Sequence, residues 1–280
     1  MRRPSFSVII PTHNRAEMLA EAIQSVRSQT DPDWELIVVD DGSPTLQAVP
    51  DDYRIRLMRV EVSQGPAAAR NLGLETARGR WVAFLDDDDA WAPTRLEHAR
   101  QAHRTAHIVV CAGTSFDDPL QNSPGWHQGS GPVHDWILDA TAPHLGATSV
   151  SRDLCPPFAE NYRAAEDLEW WLRMTLVSDR IRYLESRDWI WRRHDGVRHG
   201  IGTVRRREAQ RKLLVDYDSY FKKHRRARAF RWRRIGVLSL ALDEPLMAMT
   251  SAVRSIAAYP TMGGARLLGK IALSWRQNGR

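Results

Sequence analysis

The chain lacks the features that mark secreted, disulfide-bonded or membrane-spanning proteins. Its 280 residues include two cysteines, Cys111 and Cys155, which form neither a disulfide framework nor a metal-ligand spacing. Nothing requires an oxidising compartment, and buried free thiols are expected. No run reaches the roughly eighteen apolar residues of a membrane span, and the first apolar run is too short for a signal-peptide core. We expect a cytoplasmic protein that is neither an integral membrane protein nor secreted by means of a signal peptide.

Two common nucleotide-binding motifs are also missing. No Gly-x-Gly-x-x-Gly follows the first predicted strand, and no Walker lysine loop occurs anywhere in the chain. A dinucleotide-binding fold of the usual type and a P-loop enzyme are therefore disfavoured.

Positive charge is scarce in the first 200 residues and concentrated after them. Residues 201–280 contain 18 Lys and Arg against 5 Asp and Glu, whereas residues 1–200 contain 22 against 29. A basic C-terminal part suggests attraction to an anionic membrane surface, a nucleic acid or an acidic partner. A helical face that is merely well solvated is the simpler alternative.

The first hundred residues alternate strand and helix patterns, which predicts repeated βαβ units on a mostly parallel sheet flanked by helices. The predicted strands cover residues 6–10, 34–39, 55–60 and 81–85, and the predicted helices cover 15–29 and 65–79. The fold class is therefore α/β.

The second part of the chain is less regular. Residues 112–135 are rich in Gly, Ser, Pro and Asp, which predicts a long loop. A helix is expected around 165–174, with closing strands at 181–184 and 188–191. From 205 onward the period is mostly helical, with breaks at Pro245 and at 260–264. We expect one α/β domain over 1–200, with halves 1–100 and 101–200, and a basic helical region over 201–280.

The most informative feature is the run of four aspartates, Asp86 to Asp89, that follows the predicted strand 81–85. Asp40 and Asp41 end another strand in the same way. In open α/β sheets, ligands bind beyond the carboxyl ends of the strands, and carboxylates there suit Mg²⁺ or Mn²⁺ carrying a phosphate. A solvated acidic turn that caps the next helix is the alternative.

Four segments, residues 7–15, 35–43, 65–73 and 81–89, followed by the pair Glu166 and Asp167, carry a resemblance. In this order and spacing they resemble the family 2 glycosyltransferases, which have the GT-A fold and use nucleotide-diphosphate sugars. The resemblance covers about the first 195 residues.

The resemblance implies a donor site for a UDP- or dTDP-sugar. It places Asp41 on the edge of the nucleobase with Asp40 beside it, His13 on the base, and Asp86 and Asp87 near the ribose or metal. Alternatives remain: His13 as a satisfied loop histidine and Arg70 as an arginine packed on the sheet. The implied donor-site residues are Pro11, Thr12, His13, Asn14, Asp40, Asp41, Arg70, Asp86 and Asp87.

The resemblance also implies a metal and a base. Side chains at i and i+2 of a strand face the same way, which favours Asp86 and Asp88 as ligands of Mg²⁺ or Mn²⁺; the register within the run stays open by one residue. His194 stands where relatives carry an Arg or His that reaches the metal or diphosphate, although a surface histidine is the alternative. Asp167 is the implied general base and Glu166 its neighbour.

The implied function is that of an inverting, metal-dependent hexosyltransferase acting on a saccharide or lipid-linked hydroxyl in cell-surface polysaccharide or glycoconjugate synthesis. Its basic helices, residues 205–234, are expected near the anionic inner face of the membrane. A nucleotidyltransferase is disfavoured because its Gly-rich, Lys-containing loop is absent after Ile10. The remaining alternative is an anionic-surface or nucleic-acid binding protein with an inactive GT-A domain; no nucleic-acid motif is visible, so no nucleic-acid partner is expected.

Overall fold

Eight β-strands form one mixed sheet in the computed structural model of the chain, which describes residues 3–116, 142–162, 164–192 and 201–278. The order in the sheet is β3-β2-β1-β4-β7-β6-β8-β5. The strands are β1 (Phe6–Thr12), β2 (Trp34–Asp41), β3 (Ile55–Val60), β4 (Trp81–Phe84), β5 (Ala90–Trp91), β6 (Ile108–Ser115), β7 (Thr148–Ser151) and β8 (Ile181–Trp191). The helices flanking them are α1 (Ala16–Arg27), α2 (Pro66–Thr76), α3 (Arg95–Ala102) and α4 (Glu166–Val177).

The predicted βαβ units are confirmed in the first part of the chain. β1 pairs in parallel with β2 and β4, and β2 pairs in parallel with β3. Every residue of β1 and β2 is buried, as expected for strands covered on both faces. α1 buries Leu19, Ala22, Ile23 and Val26, the apolar stripe that the sequence predicts.

The second part of the sheet is mixed, and it differs from the predicted elements. β7 pairs antiparallel with β4 and β6, β5 pairs antiparallel with β8, and β6 pairs in parallel with β8. Residues 112–115, predicted as loop, are the end of β6. The two predicted closing strands are one strand, because β8 bulges: between the pairs Cys111 with Leu184 and Gly113 with Trp189, β6 advances two residues while β8 advances five.

Five helices occupy the last described part of the chain: α5 (Ile201–Asp216), α6 (Asp218–Lys223), α7 (Arg225–Leu240), α8 (Pro245–Ala258) and α9 (Met262–Asn278). Ala248, Ala252, Leu267 and Ile271 form a buried cluster between α8 and α9. The described residues separate into two compact units, one of 3–116, 142–161 and 166–192, the other of 162, 164–165 and 201–278. Within them no helix combines the length and the hydropathy needed to cross a bilayer.

The sheet places the predicted site at one edge. β1, β2 and β4 run in parallel, so Thr12, Asp41 and the aspartate run after Phe84 leave the sheet at the same side. Gly42 follows β2 with a φ of 70°, and a Cβ there would lie 2.7 Å from the backbone nitrogen of Ser63. Only glycine therefore lets the segment after β3 approach the end of β2.

Candidate functional site

The four aspartates form a turn after β4, because the strand ends at Phe84 and the Asp89 backbone N–H donates to the carbonyl of Asp86 at 3.2 Å. The alternation of a strand therefore does not apply to Asp86 and Asp88. Asp86 and Asp89 reach one group of side chains, whereas Asp87 and Asp88 both contact Arg15. The turn divides the four carboxylates between two environments.

Asp86 is linked to Glu166 through Arg70. The Arg70 guanidinium donates to Asp86 Oδ1 at 2.8 Å and lies 3.5 Å from Glu166 Oε1. Arg70 is 5% exposed and packs 5.4 Å from the centre of the Phe158 ring. Burial opposes the charge of Arg70, but Asp86 and Glu166 outweigh it and raise its pKa. Burial also opposes the charge of Asp86, and Arg70 and His144 reverse that effect and lower the Asp86 pKa.

Asp86, Asp89 and His144 form a possible metal-binding cluster, in which one ligand atom from each residue lies within 4.8 Å of the others. His144 Nδ1 is 4.0 Å from Asp86 Oδ2, and its ring stacks on Trp189 at 4.4 Å between centres. The Trp189 indole N–H donates to Asp89 Oδ2 at 2.8 Å and so fixes that carboxyl. The sequence interpretation missed His144, because an isolated histidine far along the chain carries no signal of its neighbours.

Asp89 is the carboxyl of the turn whose charged form is most disfavoured. It is 5% exposed and also accepts the backbone N–H of Arg192 at 3.0 Å. Burial, together with the charges of Asp86 and Asp88, raises its pKa to about 8. At neutral pH this carboxyl is therefore largely protonated, and a cation beside it would favour release of that proton.

Arg15 holds the other two carboxylates of the turn. Its guanidinium lies 2.9 Å from Asp87 Oδ1 and 2.6 Å from Asp88 Oδ2. The Thr12 hydroxyl donates to Asp87 Oδ2 at 2.8 Å, which ties the end of β1 to the turn. Burial raises the pKa of Asp87, although Thr12 and Arg15 oppose that effect. Arg15 was not among the predicted site residues; its position directly after the segment 11–14 was the available signal.

The two aspartates at the end of β2 are buried and accept hydrogen bonds from nearby residues. Asp40 is fully buried, accepts the Ser43 backbone N–H at 3.0 Å and lies 3.4 Å from Arg59. Asp41 accepts the Ser63 hydroxyl at 2.7 Å and the backbone N–H groups of Gln64 and Gly65, both at 2.8 Å. A carboxylate has about four lone-pair positions, so Asp41 retains capacity for one further donor.

The residues at the end of β1 and directly after it contact the end of β2 and the turn that follows it. His13 Nδ1 lies 2.7 Å from the Asp41 carbonyl oxygen, so a neutral ring donates from Nδ1 and leaves Nε2 as an acceptor. The Asn14 N–H donates to the Ser43 hydroxyl at 2.8 Å, and Asn14 adopts a left-handed φ of 56°. Pro11 is buried in β1 and offers no side-chain polar atom.

Glu166 and Asp167 stand in the first turn of α4, where the helix dipole favours carboxylates. Asp167 Oδ1 accepts the Leu168 N–H at 2.7 Å. Burial and the neighbouring Asp167 raise the pKa of Glu166, with Arg70 acting in the opposite direction. Ala165, directly before the pair, has a φ of 66°, a strained conformation for a residue with a Cβ.

The structure therefore brings together Asp86, Arg70 and Glu166 from the predicted set, and adds Arg15, Asp89 and His144. His194, the third predicted metal ligand, lies outside the described residues.

Comparisons with known sequences find similarity over the first part of the chain. The sequence model described as Glycosyl transferase family 2 matches residues 7–158, more than half of the chain. A protein named for teichuronic acid biosynthesis, the glycosyltransferase TuaG of Bacillus subtilis, is 42% identical over 101 residues, which are 34% of this chain and 40% of TuaG. The UDP-Glc:alpha-D-GlcNAc-diphosphoundecaprenol beta-1,3-glucosyltransferase WfgD of Escherichia coli is 41% identical over 95 residues, 32% of this chain and 38% of WfgD. This chain thus matches less than half the length of each.

Solved structures extend the similarity to the fold of nearly the whole chain. S. aureus TarS 1-349 in complex with UDP-GlcNAc has a TM-score of 0.67 at 18% identity, covering 98% of this chain and 92% of that one. The mannosyltransferase PcManGT of Pyrobaculum calidifontis, in complex with GDP-Man and Mn²⁺, has a TM-score of 0.59 at 21% identity, covering 98% and 81%. At such identities the likeness establishes the GT-A fold alone.

Proposed function

Since this chain belongs to glycosyl transferase family 2, we propose that it transfers a sugar from a UDP- or dTDP-sugar to a hydroxyl of a saccharide or lipid-linked acceptor, with inversion. The observation that carries the proposal is the contact of Arg70 with both Asp86 and Glu166. One buried cation joins the turn assigned to the donor with the carboxylate pair assigned to the acceptor. The relatives named for teichuronic acid and for diphosphoundecaprenol support a role in cell-surface polysaccharide synthesis.

The donor binds, in this proposal, at the carboxyl edge of β1, β2 and β4. Asp41 accepts the nucleobase N–H with its remaining lone pair, His13 lies against the base, and Pro11, Thr12 and Asn14 shape the floor. Asp40 supports Asp41 through the turn at Ser43. Asp87 is fixed by Thr12 beside the ribose position.

The residues present fit a divalent metal. Asp86, Asp89 and His144 already converge within 4.8 Å, and carboxylate-rich sites suit Mg²⁺ or Mn²⁺. We propose Asp86 as a ligand together with Asp89 and His144. Asp88, expected from the sequence as a ligand with Asp86 and His194, would join them by exchanging its contact with Arg15 for the ion. When bound, the metal would stabilise the charge of the leaving nucleoside diphosphate.

Asp167 acts as the general base in the proposed reaction. The acceptor oxygen attacks the anomeric carbon and passes its proton to Asp167. The bond from that carbon to the phosphate oxygen breaks, and its electron pair leaves with the nucleoside diphosphate. Glu166, held by Arg70, orients Asp167 and the acceptor.

We also propose that the chain after about residue 200 is a separate structural region and that its basic side chains contact the membrane. The exposed basic side chains of α6 and α7 would lie near anionic lipid, and lipid-linked acceptors would be reached from there. α7 turns Ala227, Ile235 and Leu238 inward, so we expect the attraction of this helix to be electrostatic.

Hydrolysis and transfer assays test the catalytic assignments. We expect Mn²⁺-dependent hydrolysis of one of a panel of UDP-, dTDP- and GDP-sugars, and a fall of about 10²-fold or more in Asp88→Ala. Asp167→Asn should keep donor affinity within about twofold and reduce transfer by about 10²- to 10⁴-fold, the contribution of a general base.

Asp153→Ala is the matched control, because the Asp153 side chain is 88% exposed and stands outside the site. It should match the wild type in both assays. Undiminished hydrolysis by Asp88→Ala would remove Asp88 from the metal site. Equal loss of donor binding and transfer in Asp167→Asn would contradict its role as a base.

A further inference from the structure

The C-terminal unit contains an open groove of about 600 Å³ that none of the assigned residues lines. Its walls are mainly apolar and come mostly from α7 and α8, with Trp232, Ile235, Leu246 and Met247 as the large apolar side chains. A groove of this size, lined mainly by apolar side chains with a few polar groups, is typical of a small-molecule binding site.

Positive charge stands at the groove. Arg254 lies over the Trp232 ring at 4.7 Å and lines the groove, and within the described residues no acidic partner is found for it. Arg211 lines the groove as well, 3.8 Å from Glu208. The one acidic lining residue, Glu244, is paired with Arg207. An occupant should therefore carry negative charge.

The apolar part of the groove is open to solvent. Leu246, in the first turn of α8, is 75% exposed although it lines the groove. An exposed leucine beside an apolar cavity is stabilised when an apolar chain covers it. The concave shape suits a single chain better than the flat surface of a bilayer.

We propose that this groove binds the prenyl chain of a lipid-linked diphosphate, with Arg254 and Arg211 contacting the diphosphate. The choice of this lipid rests on the proposed function, since an acceptor carried on such a lipid is an amphiphile with an anionic head and a long apolar tail. The groove would then hold the acceptor lipid within the C-terminal unit.

Calorimetric titration of the full chain with farnesyl diphosphate, a soluble prenyl diphosphate, tests the proposal. We expect farnesyl diphosphate to bind. Pyrophosphate alone and farnesol alone should each bind about tenfold or more weakly, because each makes only half of the contacts. Leu246→Asp and Arg254→Gln should each weaken binding by about tenfold or more. Both side chains are exposed, so neither change should unfold the helices.

Val215→Asp and Arg266→Gln are the matched controls, because both residues are exposed in the same unit and neither lines the groove. They should bind farnesyl diphosphate as the wild type does. Equal binding of pyrophosphate, or no effect of the two groove variants, would overturn the proposal. Competition by phosphatidylglycerol vesicles as strong as by farnesyl diphosphate would also overturn it, because the groove would then take any anionic lipid.

The outcome is separable from that of the proposed function. Acceptor-free donor hydrolysis should be unchanged in Leu246→Asp and Arg254→Gln, and farnesyl diphosphate should still bind Asp88→Ala. A failed hydrolysis assay with intact prenyl binding would contradict the proposed function alone. Intact hydrolysis with no prenyl binding would contradict the groove proposal alone.

Discussion

The four consecutive carboxylates at the end of β4 differ in what compensates their charge. Asp86 pairs with Arg70, Asp88 with Arg15, and Asp87 with Arg15 and the Thr12 hydroxyl. Asp89 instead accepts two N–H donors, and among the described residues no cation forms an ion pair with it, so its charge is the one most strongly disfavoured. Differences among partners, rather than among residue types, assign the roles at this turn.

Metal affinity should depend on pH through Asp89. Because its pKa is raised to about 8, the carboxyl is protonated below that value, and a nearby cation must displace the proton. We expect the apparent Mn²⁺ affinity to rise by about tenfold per pH unit between pH 6 and 8 and then to level, as for release of one proton. Electron paramagnetic resonance of free Mn²⁺ measures this affinity.

Asp89→Asn is the variant that isolates this effect. It carries no titrating proton at that position, so its Mn²⁺ affinity should change far less across the same pH range. The same slope in the variant and the wild type would show that another group releases the proton.

At the residue scale, the sequence pointed to positions that local motifs mark and missed positions that only distant contacts bring close to them. The aspartates and the pair at 166 and 167 were identifiable because they stand at fixed places in the family's segments. His144 was missed as a site residue because its proximity to the aspartates arises only when the sheet folds. Arg15 was missed although it directly follows the predicted residues 11–14. The side chains of Asp86 and Asp88 were expected to face the same way, and the turn at 86–89 prevents this.

At the scale of elements, the parallel strands were predictable and the antiparallel ones were not. A helix separates β1 from β2 and another separates β3 from β4, a pattern that each segment displays locally. β7 is only four residues long. Of its two partners, β4 is distant in the sequence and β6 shows no regular sequence pattern. Its place depends on contacts such as His103, which follows α3, stacks on Trp81 of β4 at 5.0 Å and lies 3.0 Å from the Ser149 hydroxyl of β7.

His103 should make the fold sensitive to acid. Burial lowers its pKa to about 3, so below its ordinary pKa near 6.5 the unfolded chain takes up a proton that the folded chain excludes. The part of the free energy of unfolding that depends on a neutral His103 is fully present above about pH 6.5 and is lost as pH falls towards 3. We expect about 1.4 kcal/mol of the free energy of unfolding to be lost per pH unit below 6. Urea unfolding from pH 7 to 4 measures it.

His103→Gln provides the comparison. The variant should be less stable at pH 7, because the stacking on Trp81 is lost, but its stability should fall less steeply with acid. Parallel pH profiles for the two proteins would show that His103 is not the group that titrates.

At the scale of the whole molecule, charge divides the chain in the way that the sequence indicates. The carboxylates of the site belong to the first unit, and residues 201–280 hold 18 of the 40 Lys and Arg. The basic helices were predicted to lie near the membrane, and α7 buries Ala227, Ile235 and Leu238. Large exposed apolar side chains occur on α8 and α9, including Leu246, Val253, Met262 and Leu273.

Binding to anionic vesicles should therefore depend on the basic side chains of α6 and α7. Flotation with phosphatidylglycerol vesicles should recover the full chain, and phosphatidylcholine vesicles should not. Each basic residue near such a surface contributes about 1 kcal/mol, so Lys223→Glu with Arg234→Glu should weaken binding by about thirtyfold or more. Arg104→Glu with Arg180→Glu, exposed positions in the first unit, makes the same change in net charge and should leave binding intact. Equal recovery with neutral and anionic vesicles, or equal loss in both double variants, would contradict a membrane contact through these helices.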